Sequence, residues 1–480
     1  MKEYKKPRRT KIVATLGPST DAPAVLEALL TAGVDVVRLN FSHGHADEQV
    51  ERAKMVRQLS KKLGRHVGIL ADLQGPKIRI AQFKNGRVNL EEGAGFVIDV
   101  NLGVGEGDAH RVGCVYEGLA NDVSSGQRLL LDDGRLILGV DSVKGGQINC
   151  TVLVGGELSN NKGINLQGGG LSASALTEKD KHHILTAAEI GADYVAVSFP
   201  RNADDMNEAR RLVEAAGSHA HLIAKIERAE ALDVLEEIID ASDAVMVARG
   251  DLGVEIGDAN LPPVQKNIIQ LARQKDTTVI TATQMMESMI HNPIPTRAEV
   301  FDVANAVTDG TDAVMLSAET SVGRFPVKTV EAMGLICEET ERQPTNTHSK
   351  HRMGKTFSRV DESIAMSAMY VANHMAIKAI ATFTMTGSTP LRMSRISSGI
   401  PIFAMVPNEE VCRRVTLYRG VNPVLLDLTA DNSNENINSL ALSTLKGLDI
   451  VKQDDLVIIT AGELTGIKGG TNTMKIMQVD

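Results

Sequence analysis

A repeated phrase and its spacing predict an α/β chain built on a (β/α)8 barrel, interrupted once by a β-rich insertion and followed by a second α/β unit. The phrase reads Gly33-Val34-Asp35-Val36-Val37-Arg38, Gly191-Ala192-Asp193-Tyr194-Val195, Ala241-Ser242-Asp243-Ala244-Val245 and Gly310-Thr311-Asp312-Ala313-Val314. In each copy a small residue stops a helix, an aspartate suits the turn, and the run that follows lacks strict alternation. That is the pattern of a parallel strand buried on both faces. Apolar runs at 12–16, 67–71, 222–225 and 279–283 bring the strands to eight, and amphipathic stretches at 24–30, 48–63, 178–190 and 263–274 read as helices between them. A doubly wound open sheet is the structural alternative. The strands share one feature that favours a barrel: nearly all end in polar groups, including Arg38, Asn40, Asp72, Ser198, Lys225, Glu227, Asp251, Thr283, Ser317 and Glu319, which closure gathers at one mouth.

The strand–helix spacing breaks between Asp72 and Thr177, where Gly-punctuated alternating runs such as Arg128-Leu129-Leu130-Leu131-Asp132-Asp133-Gly134-Arg135-Leu136 read as hairpins of a small β-barrel. After Glu341 a polar stretch ends the barrel, and a helix at 363–375, a strand at 378–384 and later strands at 456–460 and 473–479 form a smaller α/β unit. The expected division is therefore 1–73 with 174–343 for the barrel, 74–173 for an inserted domain placed to act as a lid, and 344–480 for the C-terminal α/β domain.

Composition bounds the partners. The chain has 480 residues, 43% hydrophobic and 23% charged, which are ordinary globular values. A net charge of −9 argues against nucleic acid as a partner, so an anionic substrate has to be met by local positive charge. The cysteines, Cys114, Cys150, Cys337 and Cys412, lie far apart with no metal spacing and read as reduced packing residues. With no run of bilayer length and no signal-peptide pattern, the expectation is a cytoplasmic protein that binds no membrane.

Chemistry concentrates where two buried runs end in charge, Ala224-Lys225-Ile226-Glu227 and Val247-Ala248-Arg249-Gly250-Asp251. Alternation along a strand puts Lys225 and Glu227 on one side, and Asp251 lies about one strand–helix unit further on, so the two carboxylates would stand on neighbouring strands and share one divalent cation beside an ammonium. An ion pair at a strand edge is the plainer reading of the same residues. In the C-terminal unit the loop Thr384-Met385-Thr386-Gly387-Ser388-Thr389 between strand and helix suits either a polar turn or phosphate binding.

Taken in order, Arg38-Leu39-Asn40-Phe41-Ser42-His43-Gly44, Asp72-Leu73-Gln74-Gly75-Pro76-Lys77-Ile78-Arg79, Lys225-Ile226-Glu227, Arg249-Gly250-Asp251-Leu252-Gly253 and Thr281-Ala282-Thr283-Gln284-Met285-Met286-Glu287 resemble the pyruvate kinases of bacterial type. The resemblance runs from about Thr10 to the C-terminus. It implies transfer of a phosphoryl group from phosphoenolpyruvate to ADP, giving pyruvate and ATP in the final step of glycolysis, by a cytoplasmic homotetramer. Glu227 and Asp251 match the ligands of Mg2+ or Mn2+. Lys225 matches the lysine that stabilises the phosphoryl group in flight, Arg38 the arginine that grips it, and Thr283 the residue that organises proton delivery to the enolate carbon. Gly250 and Asp251 match positions whose backbone N–H groups meet the substrate carboxylate. Asn40, Ser42, His43, Arg79 and Lys162 match positions around the nucleotide.

Two departures refine that expectation. Potassium-dependent members carry Thr-Lys and then Glu where this chain has Leu73-Gln74 and then Lys77, so an ammonium on Lys77 is expected to take over from K+ at the site matched by Asn40, Ser42, Asp72 and the Leu73 carbonyl, making K+ unnecessary. The C-terminal unit resembles the family's effector domain, with Thr384, Thr386, Gly387, Ser388 and Thr389 as its phosphate loop. The segment Ala461-Gly462-Glu463-Leu464-Thr465-Gly466-Ile467-Lys468-Gly469-Gly470 lacks the Trp and Arg of fructose-bisphosphate responders, which points to a sugar monophosphate or AMP as activator. A metal-dependent lyase or aldolase acting on pyruvate enolates would also want Glu227, Asp251 and a cation but not Lys162 or an effector domain. A non-catalytic scaffold predicts the loss of Lys225, Glu227 or Asp251, all of which are present.

Overall fold

The short β-branched runs close on themselves. In the computed structural model, which describes residues 7–343, 356–426, 434–462 and 470–480, eight strands form one closed parallel barrel. They are β1 (Lys11–Thr15), β2 (Val36–Asn40), β3 (Gly68–Asp72), β4 (Tyr194–Val197), β5 (His221–Ile226), β6 (Ala244–Ala248), β7 (Thr278–Ala282) and β8 (Ala313–Leu316). Each pairs with its neighbours in chain order and β8 pairs back onto β1, Lys11 against Ala313. Val13, Val36, Leu70, Ile223, Met246 and Ile280 fill the interior and are fully buried, so the barrel is a packed core with its chemistry confined to the rims.

The repeated phrase has a structural role that its turn-like look does not disclose. In every copy the aspartate carboxylate accepts the backbone N–H of the second residue of the preceding strand: Asp35 from Ile12 at 2.9 Å, Asp193 from Ile69 at 2.8 Å, Asp243 from Leu222 at 2.8 Å and Asp312 from Val279 at 2.9 Å. The same aspartates donate their own N–H to those residues' carbonyls, closing a two-bond ring four times around the amino-terminal rim. Gly33, Gly191 and Gly310 take the positive φ that ends a helix in the left-handed region, whereas Ala241 in the third copy stays right-handed.

Between β3 and β4 the chain leaves the barrel to build a six-stranded sheet and a two-stranded ladder, with further isolated bridges such as Arg79 with Gly163. Its hairpin from Arg128–Leu131 to Leu136–Lys144 turns through Asp132, Asp133 and Gly134, all at positive φ. The C-terminal unit has a five-stranded sheet, four strands parallel and the last, Thr471–Gln478, antiparallel to Leu456–Gly462. It closes the amino-terminal end of the barrel: fully buried Arg395 pairs with Asp312 and donates to the Thr277 carbonyl at 2.9 Å, and Lys11 donates to the Val421 carbonyl at 2.7 Å. All four cysteines are free and buried, and burial pushes the thiols of Cys150, Cys337 and Cys412 up to about 12. Among the described residues no helix is long and apolar enough to cross a membrane.

Candidate active site

At the carboxyl-terminal rim the polar strand ends do meet. Lys225 lies on β5, and alternation sends its ammonium to the same side as Glu227, with Nζ 2.9 Å from Glu227 Oε1, 2.7 Å from Ser198 Oγ and 3.4 Å from Asp72 Oδ1. Asp72, at the end of β3, is also gripped by Arg38 of β2, whose Nε lies 2.5 Å from Oδ2. Glu227 accepts the Phe199 N–H through Oε2 at 2.8 Å. Five side chains from neighbouring strands thus share one nearly dry patch, with two carboxylates set against an ammonium and a guanidinium.

Electrostatics separates the two carboxylates. Burial alone would raise the Asp72 carboxyl, but Arg38 and Lys225 outweigh it and hold its proton affinity below the ordinary value. Glu227 goes the other way: burial, aided by Asp251 and Asp72, raises it despite Lys225. For Lys225, burial is outweighed by Asp72 and Glu227, which keep the ammonium charged.

Several residues expected at strand ends lie just beyond them, Ser198, Glu227 and Ser317 by one position, and Asp251 and Thr283 in local structure of their own. Asp251 sits in the first turn of the helix Arg249–Ile256, which starts as soon as β6 stops, and Thr283 is the first residue after β7. Thr283 has φ +65° and Gln284 φ +53°, a left-handed pair that costs about 1–3 kcal/mol per residue for ordinary side chains. Thr283 Oγ1 donates to the Ala282 carbonyl at 2.6 Å and accepts the Gly250 N–H at 2.9 Å. That N–H, expected to be open to a substrate carboxylate, is therefore engaged here. Around Gly250 the space is open: a Cβ there would approach only Thr283, at 3.8 Å.

Lys77, expected to supply the charge of a monovalent ion, makes its ion pairs with two aspartates. Its ammonium lies 2.9 Å from Asp251 Oδ1 and 3.9 Å from Asp133 Oδ1 of the insertion, while Asp72 is taken by Arg38 and Lys225. Asp251 outweighs burial and raises the affinity of Lys77 for its proton. The Leu73 carbonyl accepts Ser198 Oγ at 2.8 Å, and the Asn40 side chain accepts the Ser42 N–H at 3.1 Å. Of the residues expected around a nucleotide, Lys162 pairs with Asp132 at 2.7 Å and Arg79 donates to the Asn161 carbonyl at 2.9 Å, both within the insertion, and the exposed His43 follows β2.

In the C-terminal loop Gly387 takes φ +84° and donates its N–H to Thr384 Oγ1 at 2.9 Å, Thr386 Oγ1 donates to Ser388 Oγ at 3.3 Å, and Thr389 bonds Thr471 at 2.7 Å. Most of the second effector segment, 463–469, lies outside the described residues.

Among the described residues no group of three or more His, Cys, Asp or Glu gathers to hold a metal. Glu227 and Asp251 nevertheless suit a hard divalent cation: they come from successive β/α units, Asp251 adds to the burial that raises Glu227, and two carboxylates leave coordination positions for water and substrate oxygens, as Mg2+ prefers. The sequence reading gave no role to Arg249, which donates to the Ala282 carbonyl at 3.0 Å and pairs with Asp302 at 2.7 Å, or to Asp132 and Asp133 beyond their turn. All three lie inside segments singled out for other reasons, and only three-dimensional contact distinguishes them.

Comparison with known proteins decides the family. The family model described as pyruvate kinase, barrel domain, matches residues 7–330, and that of the pyruvate kinase alpha/beta domain matches 362–477. This chain belongs to the pyruvate kinase family. It is 56% identical over 480 residues to pyruvate kinase II of Salmonella typhimurium, covering 98% of this chain and 99% of the relative, and 55% identical over 459 residues to a pyruvate kinase of Haemophilus influenzae, covering 95% and 96%. The crystal structure of a pyruvate kinase from Cryptosporidium parvum superposes with a TM-score of 0.92 at 33% identity, covering 98% of this chain and 96% of that one. The chain is thus a transferase whose family acts on phosphoenolpyruvate and ADP and generally uses Mg2+.

Proposed function

We propose that this pyruvate kinase works through Lys225, Arg38 and Thr283 as its catalytic residues, with Glu227 and Asp251 holding Mg2+ or Mn2+. The observation that carries the reading is the Lys225 ammonium, nearly buried, charged and 2.9 Å from Glu227. Phosphoryl transfer between two polyanions asks for positioning and charge neutralisation more than covalent help. Held by Glu227 and Asp251, a divalent ion would supply further charge neutralisation to the anionic substrate. Lys225 and Arg38 face the transferring group as fixed cations, and the carboxylates around Lys225 keep it an ammonium rather than a base. Gly250 leaves room for the substrate, with Asp251 beside it. Thr283 orders a water that delivers a proton to the enolate carbon, because a threonine hydroxyl is too weak an acid to do so alone.

Asn40, Ser42, His43, Arg79 and Lys162 bind the nucleotide, and the inserted domain, 74–173, closes over the barrel formed by 1–73 and 174–343 to exclude water. Lys77, paired with Asp251, supplies a fixed positive charge in the role that K+ plays at Asn40, Ser42, Asp72 and Leu73 in potassium-dependent members. Activity is therefore expected to persist when all monovalent salt is a bulky quaternary ammonium, and a strong loss of rate there overturns that assignment. The domain 344–480 takes a sugar monophosphate or AMP at Thr384, Thr386, Gly387, Ser388 and Thr389, in a cytoplasmic homotetramer. A coupled assay for pyruvate from phosphoenolpyruvate and ADP with Mg2+ and an effector panel tests the whole reading. Lys225→Met is expected to abolish turnover, and fructose bisphosphate acting as the best activator would overturn the effector assignment.

A further inference from the structure

Thr283 holds a backbone conformation that its β-branched side chain disfavours, and one neighbour accounts for its staying there. The chain leaves β7 through Thr283 and Gln284, both left-handed, and such a pair persists only where the surroundings over-determine it. Arg249 provides that restraint. Its Nε donates to the Ala282 carbonyl at 3.0 Å and its Nη2 to the Thr283 carbonyl at 2.5 Å, so one planar fork brackets the peptide at which the chain changes hand. The far side of the fork is fixed in turn by Asp302, on the helix Arg297–Asp309, with Nη1 to Oδ1 at 2.7 Å. Arg249 is buried, and its donors are taken up by the Ala282 and Thr283 carbonyls, the Asp302 carboxylate and the Met285 sulfur. The next residue, Gly250, fixes the Thr283 hydroxyl through its N–H, and Asp251 follows.

We propose that Arg249, oriented by Asp302, is a positioning residue for the proton-delivery half of the reaction, holding Thr283 in the turn that presents its hydroxyl beside Gly250. This rests on the reading of Thr283 given above. In that step the water ordered by Thr283 gives a proton to the methylene carbon of the enolate. The C=C pair forms the new C–H bond, the enolate oxygen pair closes the carbonyl, and the water regains a proton from solvent, with nothing oxidised or reduced. Arg249 touches neither reactant, so its loss acts through where Thr283 points.

The reverse of this step exchanges the methyl hydrogens of pyruvate with solvent, and deuterium uptake from D2O, followed by NMR with enzyme, Mg2+, ATP and pyruvate, isolates it from phosphoryl transfer. Arg249→Met and Asp302→Asn are expected to slow the exchange by about 100-fold and about tenfold, alongside Thr283→Ala, with KM for phosphoenolpyruvate and Mn2+ affinity by electron paramagnetic resonance unchanged within about twofold. Arg249→Lys, which keeps the charge but not the fork, recovers only part of the rate. If Thr283→Ala exchanges normally, the reading of Thr283 falls. If Thr283→Ala is impaired while Arg249→Met and Asp302→Asn exchange normally, the positioning role falls alone. Parallel loss of Mn2+ binding would overturn it in favour of a structural role. Should Arg249→Met fail to fold, Asp302→Asn at its partly exposed position and Arg249→Lys decide the matter.

Discussion

The two rims of the barrel use the same residue types to opposite ends. At the amino-terminal rim Asp35, Asp193, Asp243 and Asp312 each accept a backbone N–H and each meet an arginine: Arg8 at 2.9 Å, Arg57 and Arg413 at 2.9 Å each, Arg210 at 3.1 Å, and Arg395. Charge there is satisfied, and Arg8 and Lys11 outweigh burial to hold the Asp35 carboxyl low. At the carboxyl-terminal rim Asp72, Glu227 and Asp251 crowd around two lysines, Lys225 and Lys77, and Glu227 is pushed up by burial and by its own neighbours. One rim spends its carboxylates on closing the barrel. The other keeps them close together in a low-dielectric patch, an arrangement that costs stability and is relieved only by added positive charge.

The sharpest way to break this contrast is to neutralise one member of each set. Glu227→Gln is expected to lower kcat about 10³-fold while shifting the melting temperature by less than about 2 °C, because repulsion from Asp72 and Asp251 falls as the pairing with Lys225 is lost. Steady-state kinetics and calorimetry on the same sample would report both numbers, and a large loss of stability would place Glu227 with the structural set. Asp312→Ala is expected to do the reverse, destabilising the fold by about 3–5 kcal/mol because it leaves a fully buried Arg395 without its counter-charge and orphans the Val279 N–H, with kcat in the surviving folded fraction near the parent value. Denaturant unfolding measures that loss, and an unchanged midpoint would contradict the structural role given to Asp312 and Arg395.

A smaller effect sharpens the boundary between the rims and the insertion. Glu255 is buried against the insertion's edge strand Ile164–Leu166, accepting the Ala229 N–H at 2.8 Å and the Asn165 amide at 3.3 Å, and burial raises its carboxyl to about 7. A carboxyl raised in the folded state stabilises most while protonated, so this contribution is complete below about pH 4.5 and is lost as pH climbs through 7. Wild-type protein is therefore expected to lose about 2–3 kcal/mol more between pH 5 and pH 8 than Glu255→Gln does. Equal pH slopes for the two proteins would contradict this.

The barrel was legible because its signals are local: a small residue, an aspartate and a β-branched run recur four times, and each maps onto a real strand. The partner of that aspartate was not legible, because it lies on the preceding strand and the bond exists only after closure. The same limit applies to the site. Lys225 and Glu227 follow from period-two alternation within one strand, whereas the Lys77 contact with Asp251 joins the base of the insertion to a helix far along the chain. The left-handed turn at Thr283 runs against its own β-propensity, and Arg249 was hidden in a motif read for its glycine and aspartate. In physical terms, periodicity discloses faces, and long side chains that cross between elements disclose nothing until the elements are in place.

Anomalous diffraction from crystals containing Mn2+ and phosphoenolpyruvate tests the functional rim most directly. A single strong manganese peak within bonding distance of both the Glu227 and Asp251 carboxylates, with the Lys225 ammonium against the substrate phosphate, is the predicted result. A peak that avoids either carboxylate, or substrate bound away from Lys225, would contradict the account.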